Sequence, residues 1–223
     1  MSGWTCTPFL LVLVLGIAAP PGAVAGEDAS LAERCNAIPW EVELGSSDRC
    51  PRALRAVQRE LEAAGPEVVA AIAEGLDASL NLRRIAPPIL QRHPSDRSRA
   101  LLVQLLADPD DWTAEAAAFA LGEVGGVEVV DPLREAAGSA RPMVVHNALG
   151  ALISLGAADR SEQEARAALR HPDSFVRTTA LQLIAEVRGE ASIARAHGAV
   201  RELLDRETDA EVVRYAKRTM RIL

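Results

Sequence analysis

A weak repeat of about 32 residues runs through the C-terminal half of the chain. Ala116, Ala148, Ala180 and Ala216 lie 32, 32 and 36 residues apart, each inside an apolar stripe of helical spacing. Glycines follow three of these stripes, at Gly125-Gly126, Gly156 and Gly189. A unit this short cannot bury its apolar face alone, so it must stack on copies of itself. The repeat points to a solenoid of helix pairs, an architecture that offers binding surfaces more often than catalytic pockets.

The stripes define the helices. Val176, Thr179, Ala180, Leu183, Ile184 and Val187 fall on one helical face. Val145, Ala148, Leu149 and Leu152 repeat the pattern, as do Val213, Ala216 and Met220. Trp112, Ala116, Ala120 and Leu121 are read as the copy before them. The recurring small residue lets a neighbouring helix approach closely. Shorter helices lie between, marked by Val130, Leu133 and Ala137, then Ala165, Ala168 and Leu169, then Val200, Leu203 and Leu204. Asp108-Pro109-Asp110-Asp111, His171-Pro172-Asp173-Ser174 and Thr208-Asp209 supply stop and cap signals before the longer helices. Upstream, Leu54, Val57 and Leu61 form a first helix, and Pro87-Pro88 is expected to kink or end a helix begun at Leu80. Alternatively, Pro88 opens a separate helix.

These motifs resemble the HEAT-repeat family in its short bacterial form. The residues that carry the likeness are Leu105-Leu106-Ala107-Asp108-Pro109-Asp110 and Ala120-Leu121-Gly122-Glu123-Val124-Gly125. His171 through Arg177, running on to Ala180-Leu181, is a second match. The family's Val-Arg pair stands at Val176-Arg177 and Val213-Arg214, and Val145-His146 replaces it in the middle copy. The resemblance is clear over residues 96–223 and extends toward residue 51. It implies an all-α fold, an α-solenoid wound as a right-handed superhelix of about five helix pairs. It also implies that the second helix of each pair lines a concave surface. Arg134, Glu135, Glu162, Glu164, Arg166, Arg201, Glu202 and Asp205 would then face a common groove of mixed charge. The alternative is that they are ordinary solvated helix faces.

The N-terminus carries an address. Residues 1–25 contain no Asp, Glu, Lys or Arg, and Phe9–Ala19 is an apolar run too short to span a bilayer. Ala23-Val24-Ala25 follows, which reads as a signal peptide cleaved between Ala25 and Gly26. The alternative is an uncleaved N-terminal anchor. Residues 26–50 read as an arm or capping segment, and 51–223 as the repeat domain. Export leaves Cys35 and Cys50, which are expected to form a disulfide. The net charge of −7 opposes binding to phosphate backbones, so no nucleic-acid partner is expected. After cleavage, no insertion into a membrane is expected either.

Catalytic signals are weak. His93, His146, His171 and His197 are scattered, with no pair at the spacing of a helical metal site. Some HEAT-like metalloenzymes use His-Glu dipeptides as iron ligands, and here Pro, Asn, Pro and Gly follow the four histidines. His146, beside apolar Val145, reads as a packed histidine. No GxSxG or calcium-loop spacing occurs. No catalytic residue, metal or cofactor is expected. The sequence predicts an exported, periplasmic or secreted, non-catalytic scaffold for a protein or peptide partner. The alternatives are an enzyme or enzyme-assembly factor on a HEAT-like framework, and a membrane-tethered scaffold.

Overall fold

The computed structural model describes residues 29–39 and 52–223. Among these residues all regular structure is helical. The expected signal segment 1–25, Trp40 and Cys50 lie outside them. The chain divides into two compact units, residues 1–85 and 86–223. No described helix is long and apolar enough to cross a membrane.

In the first unit, α1 (Leu31–Asn36) opens with a capping box. The Glu33 amide donates to Ser30 Oγ at 3.3 Å, and the Ser30 amide donates back to the Glu33 carboxylate at 2.8 Å. α1 packs against α3 (Val68–Gly75) and the 3-10 turn Leu76–Ala78. Asn36 Nδ2 donates to the Ala78 carbonyl at 2.9 Å. Asn81 Nδ2 donates to the carbonyls of Cys35 and Ile38 at 3.0 and 2.8 Å. The described part of the expected arm is therefore a docked helix. Cys35 is a free, fully buried thiol, and burial pushes its pKa up to about 11. α2 (Arg52–Ala63) buries Leu54, Val57 and Leu61, as the sequence predicts.

α4 runs unbroken from Leu80 to Arg92 through Pro87 and Pro88. This corrects the expected helix end at Pro87-Pro88 and the alternative of a separate helix opened by Pro88. Two interior prolines cost roughly 6 kcal/mol, at about 3 each. Leu82, Ile85, Ala86, Ile89 and Leu90 are all buried along α4. Burying the four leucine and isoleucine side chains contributes roughly 8 kcal/mol at about 2 each, which outweighs the proline cost.

The second unit contains four helix pairs: α5 (Asp96–Leu106) with α6 (Asp111–Val124), α7 (Val130–Ala136) with α8 (Pro142–Ser154), α9 (Glu162–Ala168) with α10 (Ser174–Ala185), and α11 (Glu190–Leu204) with α12 (Ala210–Ile222). The second member of each pair packs on that of the next, so α6, α8, α10 and α12 form one layer. The first members of the pairs form the other, more loosely: α9 packs on α11, and α7 is joined to α9 by the Arg134–Glu164 ion pair. Asp110, Asp173 and Asp209 cap α6, α10 and α12 through their side chains, as their sequence positions predict. α8 has no side-chain cap and begins with Pro142. Gly125, Gly126, Gly156 and Gly189 all have positive φ, which only glycine adopts at little cost.

One register needs correction. Counted from the caps, the equivalent small residues are Ala117, Ala148, Ala180 and Ala216, and all four are fully buried. Ala116 is only half-buried. Thr113 fills the place held by Val144, Val176 and Val212, and donates its hydroxyl to Asp110 at 2.9 Å. Val212, not Val213, is the core valine of α12. The close approach of α6 and α8 occurs at Gly122, where an added Cβ would lie 2.8 Å from Ala151 Cβ.

Candidate binding face

The layer of α7, α9 and α11 carries the charged residues singled out in the sequence. Leu133 and Ala165 bury the core side of α7 and α9. Arg134 and Arg166 follow them by one residue, and Arg201 follows buried Val200 in the same way on α11. The three arginines form one column, 32 and 35 residues apart.

Most of these charges are tied across the stack. Arg134 Nη2 lies 2.8 Å from Glu164 on α9, and its Nη1 3.3 Å from Asp131. Those carboxylates raise the Arg134 pKa, the Glu164 bond most of all. Glu162, nearly buried, receives Arg166 at 2.8 Å and Arg195 of α11 at 2.6 Å. The Arg195 bond holds the Glu162 carboxyl below its ordinary pKa of 4.5, against the opposing effect of burial. Arg170 donates to both oxygens of Glu202 at 3.0 and 2.9 Å, and Arg206 stands 3.9 Å from the same carboxylate. Glu135, Arg201 and Asp205 are exposed. Thus Arg134, Glu162, Glu164, Arg166 and Glu202 are part of an ion-pair lattice, while Glu135, Arg201 and Asp205 point their charge outward. Partly exposed pairs of this kind contribute little each, about 0–1 kcal/mol. Their geometric effect is to fix side chains on a shared surface.

Several partners are absent from the sequence reading. Arg99 reaches Glu128 at 2.5 Å, and Arg160 reaches Asp131 at 3.2 Å. Arg177 makes a nearly buried bidentate pair with Glu207, at 2.6 and 2.9 Å. The same guanidinium donates to the carbonyls of His171 and Pro172 at 2.9 and 2.8 Å. Arg141 and Arg206 repeat one device, donating to the carbonyls of Leu106 and Leu169 near the ends of α5 and α9. Opposite charges about one repeat apart in sequence are the signal for such pairs: Arg99 and Glu128, Arg134 and Glu164, Arg177 and Glu207 are separated by 29, 30 and 30 residues.

His146 stands where the family pattern has arginine. Its Nδ1 lies 2.7 Å from Thr179 Oγ1, and its ring centre lies 4.8 Å from that of Phe175. Thr179 Oγ1 lies 3.1 Å from the Phe175 carbonyl. A hydroxyl has one hydrogen, so with that hydrogen on the carbonyl, Nδ1 must be the donor to Thr179. Burial lowers the His146 pKa from 6.5, opposed by Asp173. Among the described residues no group of three His, Cys, Asp or Glu side chains is placed to hold a metal ion.

The fold and this paired-helix face define an α-solenoid repeat protein. A family model for HEAT repeats matches residues 66–153 and again residues 98–185, together more than half of the chain. The chain belongs to the HEAT-repeat family. Among solved structures it is similar to the designed armadillo repeat protein YIII(Dq)4CqI, with 18% identity and a TM-score of 0.50. That alignment covers 80% of this chain and 96% of the designed one, and it supports the fold alone. Comparison with curated proteins gives no match.

Proposed function

We propose that the chain is a non-catalytic scaffold that binds a protein or peptide outside the cytoplasm. The binding surface is the face formed by α7, α9 and α11. The observation that carries this reading is the arginine column Arg134, Arg166 and Arg201, set among carboxylates on successive repeats. Guanidinium and carboxylate groups at fixed spacing select partners by charge pattern and steer their approach. In this reading residues 1–25 are removed on export between Ala25 and Gly26, and the Cys35 thiol, free in the structure, is then oxidised with that of Cys50 in the oxidising compartment. The intact mass of the exported protein and a thiol count after denaturation test those two steps. A mass that retains residues 1–25 contradicts cleavage, and two free thiols contradict the bridge.

The binding claim is tested by affinity capture. Purified residues 26–223 are exposed to extracytoplasmic and envelope extract, with Arg134→Glu/Arg166→Glu/Arg201→Glu as the comparison. One partner enriched near stoichiometry by the parent and lost by a variant of unchanged helicity supports the proposal. A partner retained equally by both would place binding elsewhere.

A further inference from the structure

α12 carries four basic residues and one carboxylate in a chain whose net charge is −7. Arg214, Lys217, Arg218 and Arg221 stand at i, i+3, i+4 and i+7, so they share one face, and all four are exposed. Val212, Ala216 and Thr219 occupy the opposite, buried side. Glu211 is the one carboxylate of the helix, and it pairs with Arg214 at 3.2 Å.

Two comparisons within the molecule set this face apart. From Arg97 to Arg206, every described arginine except Arg97 and Arg201 pairs with a carboxylate or donates to a backbone carbonyl. Among the described residues none of those partners is available to Lys217, Arg218 or Arg221. Lys217, the chain's single lysine, also stands at a special place. Counted from the caps, its equivalents on α6, α8 and α10 are Ala118, Leu149 and Leu181, each fully buried. A position that is core in three helices is an exposed cation in the fourth.

We infer that the exposed face of α12 docks a short acidic segment of a partner protein, a surface separate from the α7–α9–α11 face. Guanidinium groups take carboxylates in bidentate pairs, and carboxylates spaced along one helical turn and the next match this stripe. The field of the stripe reaches about 8 Å at physiological salt. A short segment stays within that reach. A bilayer or a nucleic-acid duplex extends past it and meets a chain whose net charge is −7 even with these cations counted. The apolar side of α12 is committed to the core, so the helix has no free apolar face to embed in lipid.

The test uses the full chain and a labelled synthetic peptide with Glu at i, i+3, i+4 and i+7, followed by fluorescence anisotropy at low and physiological salt. The proposal predicts saturable binding that weakens with salt and disappears when the glutamates become glutamines. Lys217→Glu/Arg218→Glu/Arg221→Glu weakens it by about tenfold or more, the sum of several exposed pairs. Lys217→Gln/Arg221→Gln, the milder change, gives a smaller loss in the same direction, and circular dichroism confirms unchanged helicity. Arg201→Glu on the other face leaves the affinity unchanged, which separates this surface from the one proposed above. An affinity insensitive to the triple reversal overturns the inference. So does tighter binding to phosphatidylserine vesicles or duplex DNA than to the peptide, or no peptide binding at low salt.

Discussion

Removing the Arg177 side chain should loosen the last helix pair of the stack more than the rest of the second unit. Arg177 is the most heavily used side chain at this junction. It gives two hydrogen bonds to Glu207 and one each to the carbonyls of His171 and Pro172. The Glu207 side chain is only 5% exposed. Breaking a buried pair by removing one partner costs about 3–5 kcal/mol. Glu207 retains bonds from the Thr208 and Asp209 amides, both 3.0 Å, so Arg177→Ala should fall near the lower end, about 3 kcal/mol. Glu207→Gln keeps an acceptor for those amides and loses the charge-assisted pair, at about 1.5–3 kcal/mol. The stack is held by nearest-neighbour contacts, so the loss should appear locally. Hydrogen exchange should show faster exchange in α11 and α12, with α6 and α8 little changed. The pair also gives a pH signature. Arg177 holds the Glu207 carboxyl below its ordinary 4.5, so the unfolded chain takes up the proton first as pH falls. The contribution is complete above about pH 4.5 and is lost as pH drops through the lowered folded value. Glu207→Gln should flatten that part of the acid-stability curve. Unchanged exchange in α11 and α12 for Arg177→Ala, or additive single and double mutants at these two positions, would refute the reasoning.

Three further outcomes follow from the packing. Gly122→Val should destabilise by about 1–3 kcal/mol in chemical denaturation, because even a Cβ there meets Ala151 Cα at 2.9 Å. Gly189→Ala should cost about 1–2 kcal/mol from its φ of 88° alone, since no neighbouring atom lies within 4 Å of the new Cβ. In a proton NMR titration His146 should protonate at lower pH than an exposed histidine. Thr179→Val, which removes the acceptor of the His146 Nδ1–H, should lower that midpoint further.

Much of this architecture is legible in the sequence because a solenoid repeats its local rules. The glycines at 125, 126, 156 and 189 mark turns of positive φ, and Asp110, Asp173 and Asp209 mark helix starts. Each signal depends on a few adjacent residues. The register of α6 is masked in the sequence, because a buried threonine replaces the usual valine and draws the stripe toward Trp112. The continuity of α4 is a tertiary effect, since burial along the helix overrides proline. α11 begins at Glu190, ten residues before the apolar stripe that announces it, because its first turns bury little apart from Ala196. The capping box at Ser30 and Glu33 is a helix signal inside a segment whose composition otherwise looks turn-rich. For the candidate face, residue types alone did not separate Arg134, bound into the lattice, from Arg201, which is not. That distinction depends on which side chain lies one repeat away across the stack.

Site-specific photo-crosslinking tests the central claim most directly. A photoreactive residue is placed at Glu135 or Arg201 on one layer, and at Phe119 or Gln182 on the other, all exposed. Each protein is then irradiated with the partner recovered by affinity capture. The account predicts that adducts form from positions 135 and 201 and not from 119 and 182. Adducts confined to positions 119 and 182 would contradict it.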